Sequence, residues 1–387
     1  MKKFFVVLYS FLLLSKGFSF EWGGGFDNNS TFQYAVNNAQ SQTSLFDFNQ
    51  KNGLHLWFSN QLSQNENFKI NSEVAYIMNI NSKQDVAFQN ILDLSLLKFS
   101  GLLFSNVVPT EFAIGRFFIS DKTGNIFSTT SDGVYIKSNF SKVGVGGYIG
   151  YTGLLNALNV SEISGYSDSQ FNQFYKLQYP LIPMILSIDF PSFFHNQTFT
   201  FQLLGAIDCV GVVGNKFYAS FVLEGPLFSK VFYTLQTVFS TKNFSDVMNY
   251  SSINLLWFPF SAVNINLGMI YASGNEEFNQ TFSDYSGITT TKKHLFSENQ
   301  MTDCLLPVVS LIFYKSVIHS KFEVKCDIDI LNDKNELFTL RGFGASVDTS
   351  LCIFSDLKIG VDLNLFLNCG ENNRIDYCAI IKGVFTF

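Results

Sequence analysis

The chain has 387 residues, of which 47% are hydrophobic, 17% are aromatic and only 14% are charged. A composition this poor in charge excludes intrinsic disorder, and the 7 prolines and 27 glycines exclude a collagen-like or Pro-rich architecture. The 25 basic and 31 acidic residues give a net charge of −6, without the basic stripe that follows nucleic-acid phosphates, so we expect no nucleic-acid partner.

The N-terminal segment 1–19 predicts a cleaved secretory signal peptide. Lysines precede an apolar run at 4–14, and small residues follow at Gly17 and Ser19. This run is shorter than the ~20 residues of a spanning helix, so a membrane anchor is the weaker interpretation. The remaining 20–387 are expected to form a single domain, and no later stretch is apolar for long enough to be a transmembrane helix.

Alternation of apolar and polar residues is the main signal in the rest of the chain. Even positions from Phe322 to Ile330 are apolar, whereas odd positions from Lys321 to Asp329 are charged. Because a strand points successive side chains to opposite faces, this segment has one apolar and one charged face. Such segments are close to the ~9–11 residues with which a tilted strand crosses a bilayer. They predict 18 antiparallel strands, with 16 also acceptable, at 20–26, 51–62, 67–80, 85–104, 111–119, 132–140, 142–151, 182–190, 198–210, 216–224, 229–240, 248–258, 262–273, 304–315, 319–330, 337–354, 357–368 and 375–387.

The last segment has a more specific pattern. Its odd positions, which lie on one face of a strand, are apolar or small from Ile375 onward, include Tyr377 and Phe385, and end at Phe387. This pattern resembles the C-terminal strand of bacterial outer-membrane β-barrel proteins. The resemblance implies that this strand closes the barrel against the first strand and is recognised by the barrel-assembly machinery. It also implies that the protein lies in the lipid of the bacterial outer membrane.

These observations together predict an all-β fold, a closed antiparallel transmembrane β-barrel. In hydrocarbon every backbone N–H and C=O needs an internal partner, so a sheet can span only when it closes on itself. A barrel of 16–18 strands leaves an aqueous lumen, and the charged faces must point into it. Lys or Arg at the lipid midplane would cost roughly 2–4 kcal/mol.

The connections between strands predict the sidedness of the barrel. With the C-terminus on the periplasmic side, short turns fall on that side and longer loops on the external side. The three longest connections, 27–50, 152–181 and 274–303, all fall on the external side.

Strand parity predicts which charged residues line the lumen. Two of the three arginines lie in predicted strands, which resembles the charged constriction of porins. An excess of acidic groups indicates a mild preference for cations. An alternative is a sugar-stacking track of inward aromatic residues, Trp57, Tyr135, Tyr148 and Phe366. The predicted pore-lining residues are Glu73, Asp93, Arg116, Asp189, Asp208, Glu224, Lys325, Asp327, Arg341, Lys358, Asp362 and Lys382.

The sequence offers little chemistry for catalysis. The four histidines have no metal-ligand partner at tight spacing, and the chain contains no zinc-protease, P-loop or nucleophile-elbow motif. We therefore predict no enzymatic activity, no catalytic or metal-binding residues and no cofactor. Among the six cysteines, Cys369 and Cys378 flank one hairpin turn and are the plausible disulfide pair.

The leading functional prediction is a porin-like channel for passive diffusion of small hydrophilic solutes or ions. One alternative is a transporter of hydrophobic substrates, in which 27–50 would have to serve as the plug. A second is a surface adhesin or structural barrel that binds ligands through 152–181 and 274–303. A soluble β-sandwich is the fourth interpretation, and a homo-oligomer is left open.

Overall fold

A computed structural model of the chain describes residues 20–36, 45–62, 68–82, 88–104, 107–154, 177, 179–244, 247–273, 304–315, 317–329, 339–369 and 375–387. Its elements are all β-strands, and no described helix is long and apolar enough to cross a membrane. The strands are β1 (Phe20–Val36), β2 (Leu45–Gln61), β3 (Phe68–Asn81), β4 (Phe88–Leu103), β5 (Thr110–Ser120), β6 (Ser128–Asn139), β7 (Gly144–Tyr151), β8 (Leu181–Phe194), β9 (Gln197–Asp208), β10 (Lys216–Phe228), β11 (Val231–Lys242), β12 (Val247–Phe260), β13 (Val263–Ala272), β14 (Cys304–Lys315), β15 (Ile318–Asp329), β16 (Thr339–Cys352), β17 (Leu357–Asn368) and β18 (Ile375–Thr386).

The sheet closes into a ring. Each strand pairs antiparallel with its neighbours in the sequence, and β1 pairs with both β2 and β18. The β1–β18 ladder runs from Gly25↔Thr386 to Val36↔Ile375. Backbone bonds of 2.9 Å in both directions between Gly24 and Phe387 extend it by one rung. The prediction of a closed antiparallel barrel of 18 strands is confirmed, and a two-layer sandwich is excluded.

The two faces of the sheet differ in chemistry. Along β15, Phe322 and Val324 belong to the face on which large apolar side chains are exposed around the ring. Lys321, Glu323 and Lys325 belong to the other face. In a closed ring one face of the sheet points outward and the other bounds the interior. The face with the exposed apolar side chains is the outer one, and the face that carries Lys321, Glu323 and Lys325 is the inner one. This is the arrangement that hydrocarbon outside a barrel requires.

The first two strands are longer than the sequence predicted. Strand β1 continues to Val36 and β2 begins at Leu45, so most of the predicted connection 27–50 belongs to the wall. The alternation is hidden because residues 28–31 are polar on both faces of the strand. The described parts of 27–50 therefore do not form the plug that the hydrophobic-transporter alternative requires.

Short connections lie at the end of the barrel that contains Phe387, which we call the turn end, and the other end is the loop end. The β8–β9 connection consists of His195 and Asn196, both with positive φ. Two such residues are typical of a tight hairpin turn whose twist matches the flanking strands. Residues 155–176 and 274–303, the bulk of the other two long connections, lie outside the described residues, as does the predicted signal peptide 1–19.

Candidate functional site

One half of the barrel interior holds buried apolar side chains together with buried polar ones such as Gln202. A cluster of buried residues lies on the inner faces of strands from β5 to β14, and we call it the interior cluster. Tyr148, Tyr218 and Tyr250 are each at most 4% exposed within it, and Val238 is fully buried. This half of the interior therefore resembles the packed core of a soluble protein, and it narrows the space available for a solute.

One hairpin leaves the wall and enters the interior. The β4–β5 ladder ends at Leu97↔Arg116, and the β6–β7 ladder ends at Asp132↔Tyr151. Strands β5 and β6 remain paired with each other beyond this rung, up to Ser120↔Ser128. We call residues 117–131 the inner hairpin. Within the described ladders, it pairs with neither β4 nor β7.

The tip of the inner hairpin is held by a buried carboxylate. Oδ1 of Asp121 accepts hydrogen bonds from the backbone N–H of Ile126 at 3.0 Å and of Phe127 at 2.9 Å. Its Oδ2 accepts one from the N–H of Thr123 at 2.8 Å. Ile126 and Phe127 are fully buried in the interior cluster. The tip is thus an ordered element, since its polar backbone groups and its apolar side chains both have partners.

Three contacts tie the tip to distant strands. The backbone N–H of Lys122 donates to Oε1 of Gln202 on β9 at 2.8 Å, and its Nζ pairs with Oε1 of Glu224 on β10 at 2.5 Å. Nδ2 of Asn125 donates to the Tyr250 hydroxyl on β12 at 3.1 Å. Because β12 is seven strands from β5 in a ring of 18, the tip reaches well across the interior.

A buried ion pair marks the base of the inner hairpin. The Arg116 guanidinium donates from Nε to Oδ1 of Asp132 at 3.0 Å and from NH2 to Oδ2 at 2.8 Å. NH1 donates to the Leu94 carbonyl at 3.3 Å and lies 3.9 Å from a carboxylate oxygen of Asp93. The pair occupies the last rung that the hairpin shares with the wall. A bidentate geometry of this kind fixes the relative position of two strands.

The other half of the interior is polar. His55 on β2 is hydrogen-bonded to Asp27 on β1 at 2.8 Å and to Glu73 on β3 at 3.1 Å. Facing carboxylates occur at Asp348 and Asp362, directly opposite each other on β16 and β17. Ion pairs also join Glu323 to Lys321 and Lys325, and Asp362 to Lys382. The inner hairpin therefore reaches across the half that carries the interior cluster, and the opposite half is lined mainly by charged side chains.

The structure places nine of the predicted pore-lining residues on the inner face of the sheet. Some of them are engaged by specific partners: Asp189 by Lys137 at 2.8 Å, and Asp208 by the Tyr179 hydroxyl at 2.7 Å. Lys358 is exposed near the turn end. Whether these residues contact a solute stays a prediction. The nine are Glu73, Asp93, Asp189, Asp208, Glu224, Lys325, Lys358, Asp362 and Lys382.

Arg116 lies on the last rung that β5 shares with the wall. It is 9% exposed and its NH1 lies 3.9 Å from the inner-face carboxylate of Asp93, and whether it contacts a solute stays a prediction. Asp327 lies in β15 and Arg341 in β16, but their side chains are outside the part of the structure that is described.

Sequence reasoning missed two parts of this site. Asp27 was omitted from the inward charges because it fell in a predicted loop. The inner hairpin was predicted as an ordinary connection between two strands, although the adjacent apolar residues Ile126 and Phe127 in so short a connection are a signal of burial.

The predicted aromatic and cysteine features have mixed outcomes. Register places the inner-wall aromatics as parity predicted; Tyr148 and Phe366 are buried, whereas Trp57 is 40% exposed. Cys369 and Cys378 are both free thiols, so the candidate disulfide is not formed. Among the described residues, no group of three or more His, Cys, Asp or Glu side chains could hold a metal ion.

Comparison with protein-family models and with curated proteins finds no match. Solved structures do match the fold. OpdQ of Pseudomonas aeruginosa superposes with a TM-score of 0.63 at 9% identity, over 95% of this chain and 99% of that one. OccAB4 of Acinetobacter baumannii gives 0.60 at 10% identity, over 95% and 98% of the two chains. At this identity the likeness shows the fold alone, and at that level the prediction of a porin-like β-barrel is confirmed.

Proposed function

We propose that the protein is a porin-like channel through which small hydrophilic solutes or ions diffuse passively across the outer membrane. The observation that carries this proposal is the inner hairpin, which reaches across the interior to β9, β10 and β12, while the inner faces of β15–β18 and β1–β3 carry charged side chains. A barrel of this strand number encloses an aqueous channel when its interior is not filled. A segment that narrows part of the cross-section converts such a barrel into a size-selective pore.

The chemistry of the open half supports hydrophilic cargo. Asp27, His55 and Glu73 form one hydrogen-bonded group on its wall, and Lys321, Glu323 and Lys325 form another. Charged rows of this kind favour ions and polar solutes. An apolar molecule would displace the water that solvates these charges and would offer no hydrogen bonds in its place. We accordingly assign the inward charges of β15–β18 and β1–β3 as the lining of the passage.

The alternatives gain less support. A carrier of hydrophobic substrates would need an apolar path, whereas the apolar part of this interior is closely packed. The adhesin alternative stays a prediction, because 155–176 and 274–303 lie outside the described residues. The proposal includes no catalytic step.

The test is conductance of the refolded protein in planar bilayers. The wild type should give steady conductance in salt, with slow or no passage of large sugars. A variant in which 121–127 is replaced by Asn-Gly keeps a tight turn but removes the tip, so its conductance should rise several-fold. The matched control replaces 353–356 at the turn end by the same two residues and should conduct like the wild type. A wild-type barrel closed to ions, or a shortened variant with unchanged conductance, contradicts the proposal.

A further inference from the structure

An indole ring covers part of the inner wall near the turn end. Trp57 on β2 is directly opposite Gly23 on β1, on the face that also carries His55 and Glu73. A Cβ on Gly23 would lie 2.4–2.9 Å from three atoms of the indole, so the ring occupies the space that a side chain would fill. Gly23 is buried as a result, whereas Trp57 is 40% exposed. The ring is therefore supported by the wall and still accessible from the lumen.

The indole is available to a solute. Among the described residues, none accepts a hydrogen bond from its Nε1–H, and no cationic side chain lies over its ring. A tryptophan offers a large apolar surface and one N–H donor, and here both are left open. Tyr148 and Phe366, which also point inward, are 4% and 7% exposed and offer no such surface.

Two carboxylates flank the indole. Glu73 on β3 is directly opposite Trp57, a position in which the two Cβ atoms are ~5 Å apart. Its Oε1 lies 3.1 Å from Nδ1 of His55 and accepts the Ser95 hydroxyl at 2.9 Å, whereas its Oε2 accepts no hydrogen bond from the described residues. Glu21 is exposed on the same face of β1, diagonal to Trp57. We call Glu21, Trp57 and Glu73 the indole site.

The histidine between the carboxylates does not neutralise them. Nε2 of His55 lies 2.8 Å from Oδ1 of Asp27, and its Nδ1 faces Glu73. Both ring nitrogens can donate only in the imidazolium form, which carries a single positive charge. The carboxylates of Asp27, Glu73 and Glu21 therefore outnumber the one described cationic group that contacts them.

The lysines of the same strands lie farther along the wall. Lys51 is six residues from Trp57 along β2, and Lys69 on β3 is opposite Gln61, four residues from Trp57 in the other direction. At ~3.3 Å per residue, these positions are ~20 Å and ~13 Å away. The indole site thus combines an available aromatic surface with an excess of negative charge.

We infer that the indole site binds small organic cations of the ammonium class as they pass through the lumen. An ammonium group is attracted to the face of an aromatic ring, most strongly to that of tryptophan, and the neighbouring carboxylates balance its charge. A neutral solute would leave the excess negative charge uncompensated, and an anion would be repelled. The inference rests on the proposed channel function, because a solute must enter the lumen to reach Trp57, and it adds a chemical class of cargo.

The test uses tryptophan fluorescence, which reports on the indole site without any current. The chain has three tryptophans, and Trp22 and Trp257, both exposed on the outer surface, are replaced by Phe so that Trp57 alone emits. The refolded protein is titrated with tetramethylammonium chloride. Sodium chloride at equal concentration, glucose and sodium acetate are the comparison solutes. Heat-modifiable migration on gels verifies that each variant is folded.

Tetramethylammonium should change the emission of Trp57 along a saturable curve with a millimolar midpoint, whereas the comparison solutes should not. Glu21→Gln/Glu73→Gln should raise that midpoint ~10-fold, since it removes both flanking charges and keeps the oxygen acceptors. Glu21→Gln alone, at a position with no hydrogen bond to the described residues, should raise it in part. The matched control Asp348→Asn, which removes an inner carboxylate of β16, should bind like the parent protein.

Absence of a saturable response to tetramethylammonium overturns the inference, and so does an unchanged midpoint in the double Gln variant. A saturable response to glucose in place of tetramethylammonium also overturns it, because the site would then take neutral solutes. Failure of the channel proposal would appear separately, as absent conductance of a barrel that still binds tetramethylammonium.

Discussion

Gly115 marks the point at which β5 stops being a regular strand of the wall, one residue before Arg116. Its φ of 117° lies where residues with a side chain are strained, and a Cβ there would come within 2.1 Å of the Leu97 carbonyl oxygen. Glycine thus lets β5 change direction while β4 stays paired up to that rung. Alternation assumes a regular strand, so it could not assign Arg116 beyond this point.

Replacing Arg116 should loosen the base of the inner hairpin. Arg116→Ala leaves the Asp132 carboxylate, 25% exposed at its side chain, without its bidentate partner. Removing one partner of a buried pair costs about 3–5 kcal/mol. We expect a lower urea midpoint for unfolding from liposomes and a noisier single-channel current than in the wild type.

The double variant Arg116→Ala/Asp132→Ala separates the lost pair from the lost packing. It removes both charges, so part of the stability should return relative to the single variant. An Arg116→Ala barrel with wild-type stability and a quiet current would show that the ion pair does not hold the hairpin.

At the scale of elements, the strands were predictable and the inner hairpin was not. Segments 111–119 and 132–140 were predicted close to β5 and β6, because alternation reports which face meets lipid. The bend of 117–131 into the interior depends on where two neighbouring ladders stop, which is a property of strands far apart in sequence. The length of strand β1 was underestimated for a different reason, since Asn28 and Ser30 interrupt its apolar outer face.

Asp121 is the residue on which the shape of the tip depends. Asp121→Ala removes the acceptor of three backbone hydrogen bonds, and bonds to a charged group contribute about 1.5–3 kcal/mol each. We expect the tip to detach from Gln202 and Glu224, with a larger mean conductance and frequent transitions between levels in single-channel recordings.

The control for this change is Thr123→Val, which removes the hydroxyl bond to Asp121 and the one accepted from the Asn125 N–H but keeps the three backbone bonds to Asp121. It should conduct nearly as the wild type does. Identical traces for Asp121→Ala and the wild type would mean that the interior cluster alone holds the tip.

For the whole molecule, the β1–β18 ladder closes the ring, and the contact of Phe387 with Gly24 extends that ladder by one rung. A Cβ on residue 24 would lie 2.6 Å from the Phe387 ring, so the glycine provides the space that the ring fills. The sequence predicted the closing strand from its alternating pattern and final aromatic residue, including Tyr377 and Phe385. It could not predict that the first strand supplies a glycine to receive that residue.

Two substitutions separate ring closure from recognition by the barrel-assembly machinery, which stays a prediction. Gly24→Leu should reduce the heat-modifiable folded fraction both after refolding in detergent and in cells, because the new side chain occupies the position of the Phe387 ring. Phe387→Ser keeps the backbone pairing, so it should refold in detergent yet accumulate poorly in outer-membrane fractions. Equal yields of Phe387→Ser and wild type in cells would show that the aromatic terminus is not recognised.

The position of the seam relative to the interior cluster has a consequence for how the ring can open. The cluster lies against ten consecutive strands, β5 to β14, and the β1–β18 seam is diametrically opposite it. Parting the ring at the seam therefore separates polar inner surfaces and leaves the apolar contacts intact. The half of the barrel that carries the interior cluster should therefore be more rigid than the half that carries the β1–β18 seam. Amide protons of β8–β12 should accordingly exchange with deuterium more slowly than those of β17–β2.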